Sequence, residues 1–330
     1  MPPLTNSSAA ATQVDRTGRG MAFGVGAYFL WGIVPAYWPL LQPAGSVEIL
    51  AHRIAWSLVV MAVITAALGR WAGIRGLSAR GWAMVAMASV LIAVNWGVYI
   101  HAVNTAHVVE AALGYFINPL VSVLLGVVVL RERLRVPQYA ALGIAVPAVV
   151  VLAIDYGRLP WISLVLACSF GVYGLLKKTV PLDATASLTA ESLVLAPIAV
   201  GYLVWLGPTG TFLSHGWGHA VWLASAGLVT AVPLLLFGAG ARLVPLVTMG
   251  MLQYLAPVLQ FAWGVFVVHE PMPASRWFGF ALVWLALAVF TADTIRLRRR
   301  PRESNAQASR VLRSEHPNST LSAPADLPER

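Results

Sequence analysis

Residues 108–131 read VVEAALGYFINPLVSVLLGVVVLR, and this stretch decides the fold class. Glu110 is the only charged side chain before Arg131 closes the run. A hydrocarbon layer of ~30 Å needs roughly 17 to 25 helical residues per crossing, and this run has that length and that composition. Working outward in both directions, comparable runs lie at 21–40, 47–69, 82–103, 138–154, 160–176, 188–206, 218–240, 245–268 and 276–295. The expected fold class is therefore all-α integral membrane, with ten transmembrane helices. Composition agrees: the chain is 58% hydrophobic and 11% charged, where a soluble domain carries about 25% charged residues. The run 21–40 is too long and too aromatic for a cleaved signal peptide, and further spans follow it. Residues 1–20 are polar and are expected to form a disordered cytoplasmic N-terminus. Residues 296–330 read as a basic, disordered cytoplasmic tail.

Charge placement gives an independent check on the number of spans. With the N-terminus in the cytoplasm, the cytoplasmic segments collect Arg16, Arg19, Arg70, Arg75, Arg80, Arg131, Arg133, Arg135, Lys177, Lys178, Arg242 and the eight arginines from Arg296 onward. That is 19 of the 22 Lys and Arg residues. Only Arg158 and Arg276 fall on the other side, and Arg53 lies within a span. Retained Lys and Arg mark the cytoplasmic face, so both termini are expected inside a bacterial inner membrane. The same placement accounts for the formal charge of +9 as a membrane pattern with lipid as the partner, not a nucleic-acid groove. The single cysteine, Cys168, excludes a disulfide framework.

The two halves echo one another. Pro119, Gly126 and Glu132 recur at the same spacing as Pro257, Gly264 and Glu270, each pair 138 residues apart. Arg53 and Glu191 share that offset, and Trp31-Gly32 has a weaker echo in Tyr173-Gly174. Five helices per half is an odd number, so the second copy would cross the membrane inverted. Two inverted five-helix repeats, 21–154 and 160–295, are thus expected, an arrangement found in secondary transporters.

Several segments carry a resemblance. They are Tyr28 to Pro35, Ala51 to Ser57, Asn95-Trp96, Glu110 through Tyr115, Asn118 and Pro119 to Leu120, and Gln253-Tyr254 to Pro257. Over residues 20 to 295 the chain resembles the RarD group of the EamA family, in the drug/metabolite transporter superfamily. The resemblance implies ten helices in two inverted halves, no nucleotide-binding domain and a small-molecule substrate. Asn95, Asn118 and Gln253, within these segments, are polar candidates for a substrate cavity.

The residues themselves add candidates. Arg53 cannot surrender its charge, so within a span it needs a carboxylate, carbonyls, water or an anionic substrate. Snorkelling to an interface is the competing reading. Glu191 is expected near the cytoplasmic interface, with a gap of order 12 Å separating it from Arg53. Tyr28, Trp31, Tyr115, Tyr173 and Tyr254 offer aromatic walls. Pro119 and Pro257 are expected as helix breaks, each freeing a carbonyl one turn earlier. Glu110 opens a helix, where it either favours the helix dipole or couples a proton to transport. His101, His107 and Glu110 lack a His-Glu-x-x-His pattern, so no metal is expected. No Gly-x-x-x-x-Gly-Lys loop occurs, so neither a cofactor nor ATP hydrolysis is expected. The expected function is secondary transport of a small organic molecule by alternating access. The competing class, a membrane-embedded enzyme acting on a lipid-linked substrate, calls for Gly-x-Ser-x-Gly or His-Glu-x-x-His, and neither is present.

Overall fold

The computed structural model describes residues 6–130, 136–177, 180–244, 252–289 and 291–293. Ten long helices occupy them. The first five are α1 Asn6–Ile33, α2 Ser46–Ala67, α3 Ala79–Asn104, α4 Val108–Leu130 and α5 Val136–Asp155. The second five are α6 Trp161–Lys177, α7 Ala184–Leu206, α8 Gly216–Leu243, α9 Leu255–Phe266 and α10 Ala274–Asp293. Six of these, α2, α3, α5, α7, α8 and α10, are long and apolar enough to cross a membrane. The chain is an all-helical, multi-span membrane protein. The tail 296–330 and Glu132 lie outside the described residues.

The first helix has other bounds than the apolar run 21–40. It begins at Asn6, because Ala9, Ala10, Ala11 and Gln13 are good helix formers that carry the helix back through the polar segment. It stops at Ile33, where Pro35 and Pro39 enter two short 3-10 turns, Val34–Ala36 and Trp38–Leu41. Proline lacks the N–H that would continue the helix. Residues 34–45 therefore fold back into the bundle, and Trp38, Leu41 and Ala44 become core residues.

Carboxylates organise that same end. Glu48 accepts hydrogen bonds from the Thr211 amide at 2.6 Å and its hydroxyl at 3.0 Å. Glu270 accepts from the Val108 and Val109 amides, at 2.5 and 3.0 Å, where α4 begins. The first amides of a helix have no partner within it, so a side chain from elsewhere supplies one. Burial pushes the Glu270 carboxyl up to about 7, against the pull of those amides and of Arg276. At the opposite end Asp183 caps α7 through the Thr185 and Ala186 amides, and Arg70 binds the same oxygen at 2.6 Å.

Most helix packing joins the first five helices to the second five. α1 lies on α8 and α9, α6 on α3 and α4, α2 on α7 and α8, α7 also on α3, and α4 on α9. α5 and α10 flank α4, where Ala141, Ala148 and Leu152 meet Phe280, Val283 and Ala286. In lipid no hydrophobic gain drives helices together, so close backbone approach takes its place. A Cβ on Gly227 of α8 would sit 2.5 Å from the Trp56 carbonyl of α2. A Cβ on Gly240 would sit 3.0 Å from the Gly20 carbonyl of α1.

Gly227→Ala should therefore lower the melting temperature of the detergent-solubilised protein by several degrees. Gly201→Ala, with nothing within 4 Å of the new carbon, should leave it unchanged or raise it. Differential scanning fluorimetry of the two variants makes the comparison.

Candidate functional site

Arg53 lies on the eighth residue of α2, about two turns from its start, and only 7% of it is accessible. Its Nε donates to Thr230 Oγ1 of α8 at 3.0 Å. Trp96 of α3 covers one side of the guanidinium at 3.9 Å from the ring centroid, and Trp38 from the folded-back segment lies at 5.1 Å. Tyr37, Tyr99 and Tyr115 are in electrostatic range. Among the described residues no carboxylate pairs with Arg53, and its two Nη nitrogens make no hydrogen bond. Snorkelling is not what the structure shows: the charge points into the junction between the two sets of five helices.

Beside it runs a polar layer. Asn95 of α3 donates to the Leu166 carbonyl and to Ser169 Oγ of α6, each at 3.0 Å, and accepts from Tyr115 OH at 3.2 Å. Tyr115 packs edge-on against Tyr99 and Phe170. Asn118 Oδ1 is buried without a partner. Glu191, expected at an interface, is instead buried, with 1% of it accessible. α7 starts at Ala184, four residues earlier than the hydropathy boundary, which carries Glu191 two turns inward. There it accepts from Lys177 Nζ at 2.5 Å, Ser187 Oγ at 2.9 Å and Tyr173 OH at 3.0 Å. Arg53 and Glu191 do not bond to each other.

A second aromatic group joins Tyr28, Trp31 and Phe237, with centroids 5.4 to 6.1 Å apart, between α1, α8 and α9. Tyr28 and Trp31 thus pack with each other and away from Arg53's immediate contacts. Gln260 of α9 ties the two sides by donating to the Trp31 carbonyl at 2.9 Å. Gln253 and Tyr254 precede α9 and are half-buried.

The expected proline breaks take a different form. α4 continues through position 119 as helix, and the Pro119 side chain lies outside the described residues. Pro257 is the third residue of α9, in a first turn whose amides need no intrahelical carbonyl, so it starts a helix without breaking one. Glu110 is also committed elsewhere. Both its oxygens bind Arg158, at 3.3 and 2.8 Å, and one accepts the Ile162 amide at the start of α6.

Residues 18–154 match the EamA-like transporter family. Protein RarD of Streptomyces exfoliatus is 56% identical over 287 residues, covering 86% of this chain and 91% of that protein. The uncharacterized transporter YojE of Bacillus subtilis (strain 168) is 42% identical over 292 residues, covering 87% and 98%. The chain belongs to the EamA-like transporter family. Within it the relatives place this protein in the RarD group. A crystal structure at 18% identity aligns over 84% of this chain and 98% of its own with a TM-score of 0.56, which shows the fold. The chain is accordingly a membrane transporter with bacterial homologues, and not an enzyme.

In this EamA-like transporter, the site has members that sequence reading passed over. Trp38, Trp96 and Thr230 surround Arg53, and Lys177 neutralises Glu191. Aromatic and Thr residues are abundant in spans, so nothing in their identity marks which face inward. The apolar run ends at Leu176, so Lys177 reads as a loop cation, whereas the helix continues through it. Among the described residues no group of three His, Cys, Asp or Glu could hold a metal ion.

Glu191 is buried while Lys177 is a quarter exposed, so removing the lysine leaves an unpaired buried carboxylate, and removing the glutamate leaves a lysine that water can still reach. Lys177→Met should therefore lower the melting temperature markedly, Glu191→Gln less. The double variant should recover part of the loss, which a thermal-melt double-mutant cycle measures.

Proposed function

We propose that the protein is a secondary transporter whose two inverted five-helix halves alternate around a site centred on Arg53, with both termini in the cytoplasm. One observation carries this reading: the only buried cation without an acid partner among the described residues sits where α2 of one half meets α8 of the other.

Two features support the inverted halves. Helix boundaries repeat at nearly the sequence offset of 138: Ser46 and Ala184 differ by 138, Ala67 and Leu206 by 139, Ala79 and Gly216 by 137, and Asn104 and Leu243 by 139. The packing also survives exchange of the halves. Swapping α1 with α6, α2 with α7, α3 with α8 and α4 with α9 turns the α1 contacts on α8 and α9 into the α6 contacts on α3 and α4. The α2–α8 contact becomes α7–α3, while the α2–α7 and α4–α9 contacts map onto themselves. Rocking one half against the other about such an interface is how transporters of this type expose a midplane site to each side in turn. Substrate gradients or a coupling ion such as a proton would drive it. Glu110 is a poor candidate for that ion, since Arg158 and the Ile162 amide hold both its oxygens.

Two measurements test the proposal. Alkaline phosphatase fused after Arg158 or Ser275 should be active in a bacterial host, and fusions after Arg75 or at the C-terminus should be silent; an active C-terminal fusion contradicts an even number of crossings. Purified protein in proteoliposomes should accelerate equilibration of its substrate without ATP, and a panel of metabolites with no protein-dependent flux contradicts the transport reading.

A further inference from the structure

The shape of the Arg53 site specifies what it binds. A guanidinium presents five N–H donors in one plane, with two broad faces above and below. The Trp96 and Trp38 rings lie 3.9 and 5.1 Å from its carbon, and Thr230 takes the Nε donor. The remaining edge, formed by the two Nη nitrogens, has no acceptor among the described residues. It is the edge that receives a carboxylate end-on through two parallel hydrogen bonds.

Further donors stand around it without partners. Trp38 Nε1 and Tyr99 OH are both buried, 1% and 4% accessible, and neither makes a hydrogen bond. Ser57, one helical turn beyond Arg53 on the same face of α2, is fully buried with an unpartnered hydroxyl. An indole N–H can only donate. Native proteins leave few buried polar atoms unpaired, so several around one charge point to a ligand that pairs them.

We infer that Arg53, Trp38 and Tyr99 bind the carboxylate of a small organic monoanion, and that this monoanion is the transported substrate. The inference rests on the transporter reading above and adds the substrate's chemical class. A single negative charge matches the site: Arg53 has no acid partner among the described residues, and the ion pair of Lys177 with Glu191 adds no net charge. A phosphate dianion would leave one charge uncompensated in a low-dielectric interior, and an organic cation would meet Arg53 head-on. The body of the anion would lie against Tyr99, Tyr115 and Phe170, whose rings stand edge to face.

The test is ligand-induced stabilisation of the purified full chain at constant ionic strength, since a ligand that binds the folded state raises its melting temperature. The probes are benzoate, phenylacetate, cinnamate and pyruvate, set against benzamide, phenylacetamide, benzylamine and inorganic phosphate. At least one carboxylate should raise the melting temperature in proportion to its logarithmic concentration, while its amide, the amine and phosphate should not. Tyr99→Phe and Trp38→Phe should each weaken that carboxylate about ten-fold, the effect of losing one hydrogen bond to a charged group. Tyr99→Phe should do so with the ligand-free melting temperature unchanged or raised, which a purely structural hydroxyl would not. Arg53→Lys should abolish the shift, because lysine keeps the charge and loses the paired donors.

The proposal is overturned if no carboxylate stabilises the protein at 10-millimolar order, if amides or amines do so equally, or if Arg53→Lys retains the shift. Flux assays separate this failure from that of the transporter reading. Transport of neutral or cationic compounds alone would sink the anion site and leave transport intact. Carboxylate binding through Arg53 without flux would do the reverse.

Discussion

Water is missing from the hydrocarbon layer, so an ionic group drawn into the bundle must find its counter-charge or its hydrogen bonds inside the protein. Nearly every buried acid here obeys that constraint locally. Glu110 holds Arg158, Glu191 holds Lys177 with Tyr173, and Asp155 holds Arg276 at 2.8 Å. Arg53 alone is treated differently. An arginine at a helix centre costs about 3 kcal/mol on insertion scales, and each desolvated cation–π contact returns about 2 kcal/mol. Two indole rings and one threonine hydroxyl therefore suffice to keep the charge in place without an acid. What they do not supply is an acceptor for the outer edge of the guanidinium, and the proposed binding site rests on that open edge.

The carboxylates at the other positions do structural work of one kind. Glu48, Glu110 and Glu270 each accept the first amides of a helix that is not their own, joining Thr211, Ile162 and Val108 with Val109 respectively. All three links run between the first five helices and the second five, at the same end of the bundle. Glycine approaches such as Gly227 on Trp56 hold the halves together along their length. The interface is thus polar and cross-linked at one end, closely packed in the middle, and occupied there by Arg53.

How much of this was legible in sequence follows from what hydropathy can encode. Long apolar runs are forced by bilayer thickness, so the helix count was readable. The start of α1 was not, because Ala, Ser, Thr and Gln favour helix without being strongly apolar. The fold-back at 34–45 was written in Pro35 and Pro39, yet the surrounding residues are hydrophobic enough to read as span. Arg53 was visible because a charge in a span demands a reason. Its partners were not, since which of thirteen tryptophans faces inward depends on helix rotation set by packing. The depth of Glu191 is hidden for a simpler reason: the apolar run begins at Leu188, whereas the helix begins at Ala184.

Alternation of the two halves about Arg53 is the central claim, and pairwise distances between the halves test it most directly. On a Cys168→Ser background, spin labels at Thr105 and Thr209 report on the end closed by Glu48 and Glu270, and labels at Arg75 and Ala184 report on the opposite end. Double electron–electron resonance should show the two distances changing in opposite senses when a stabilising carboxylate or an opposing gradient shifts the conformational population. Distances that lengthen together, or that stay fixed while transport proceeds, would contradict alternating access.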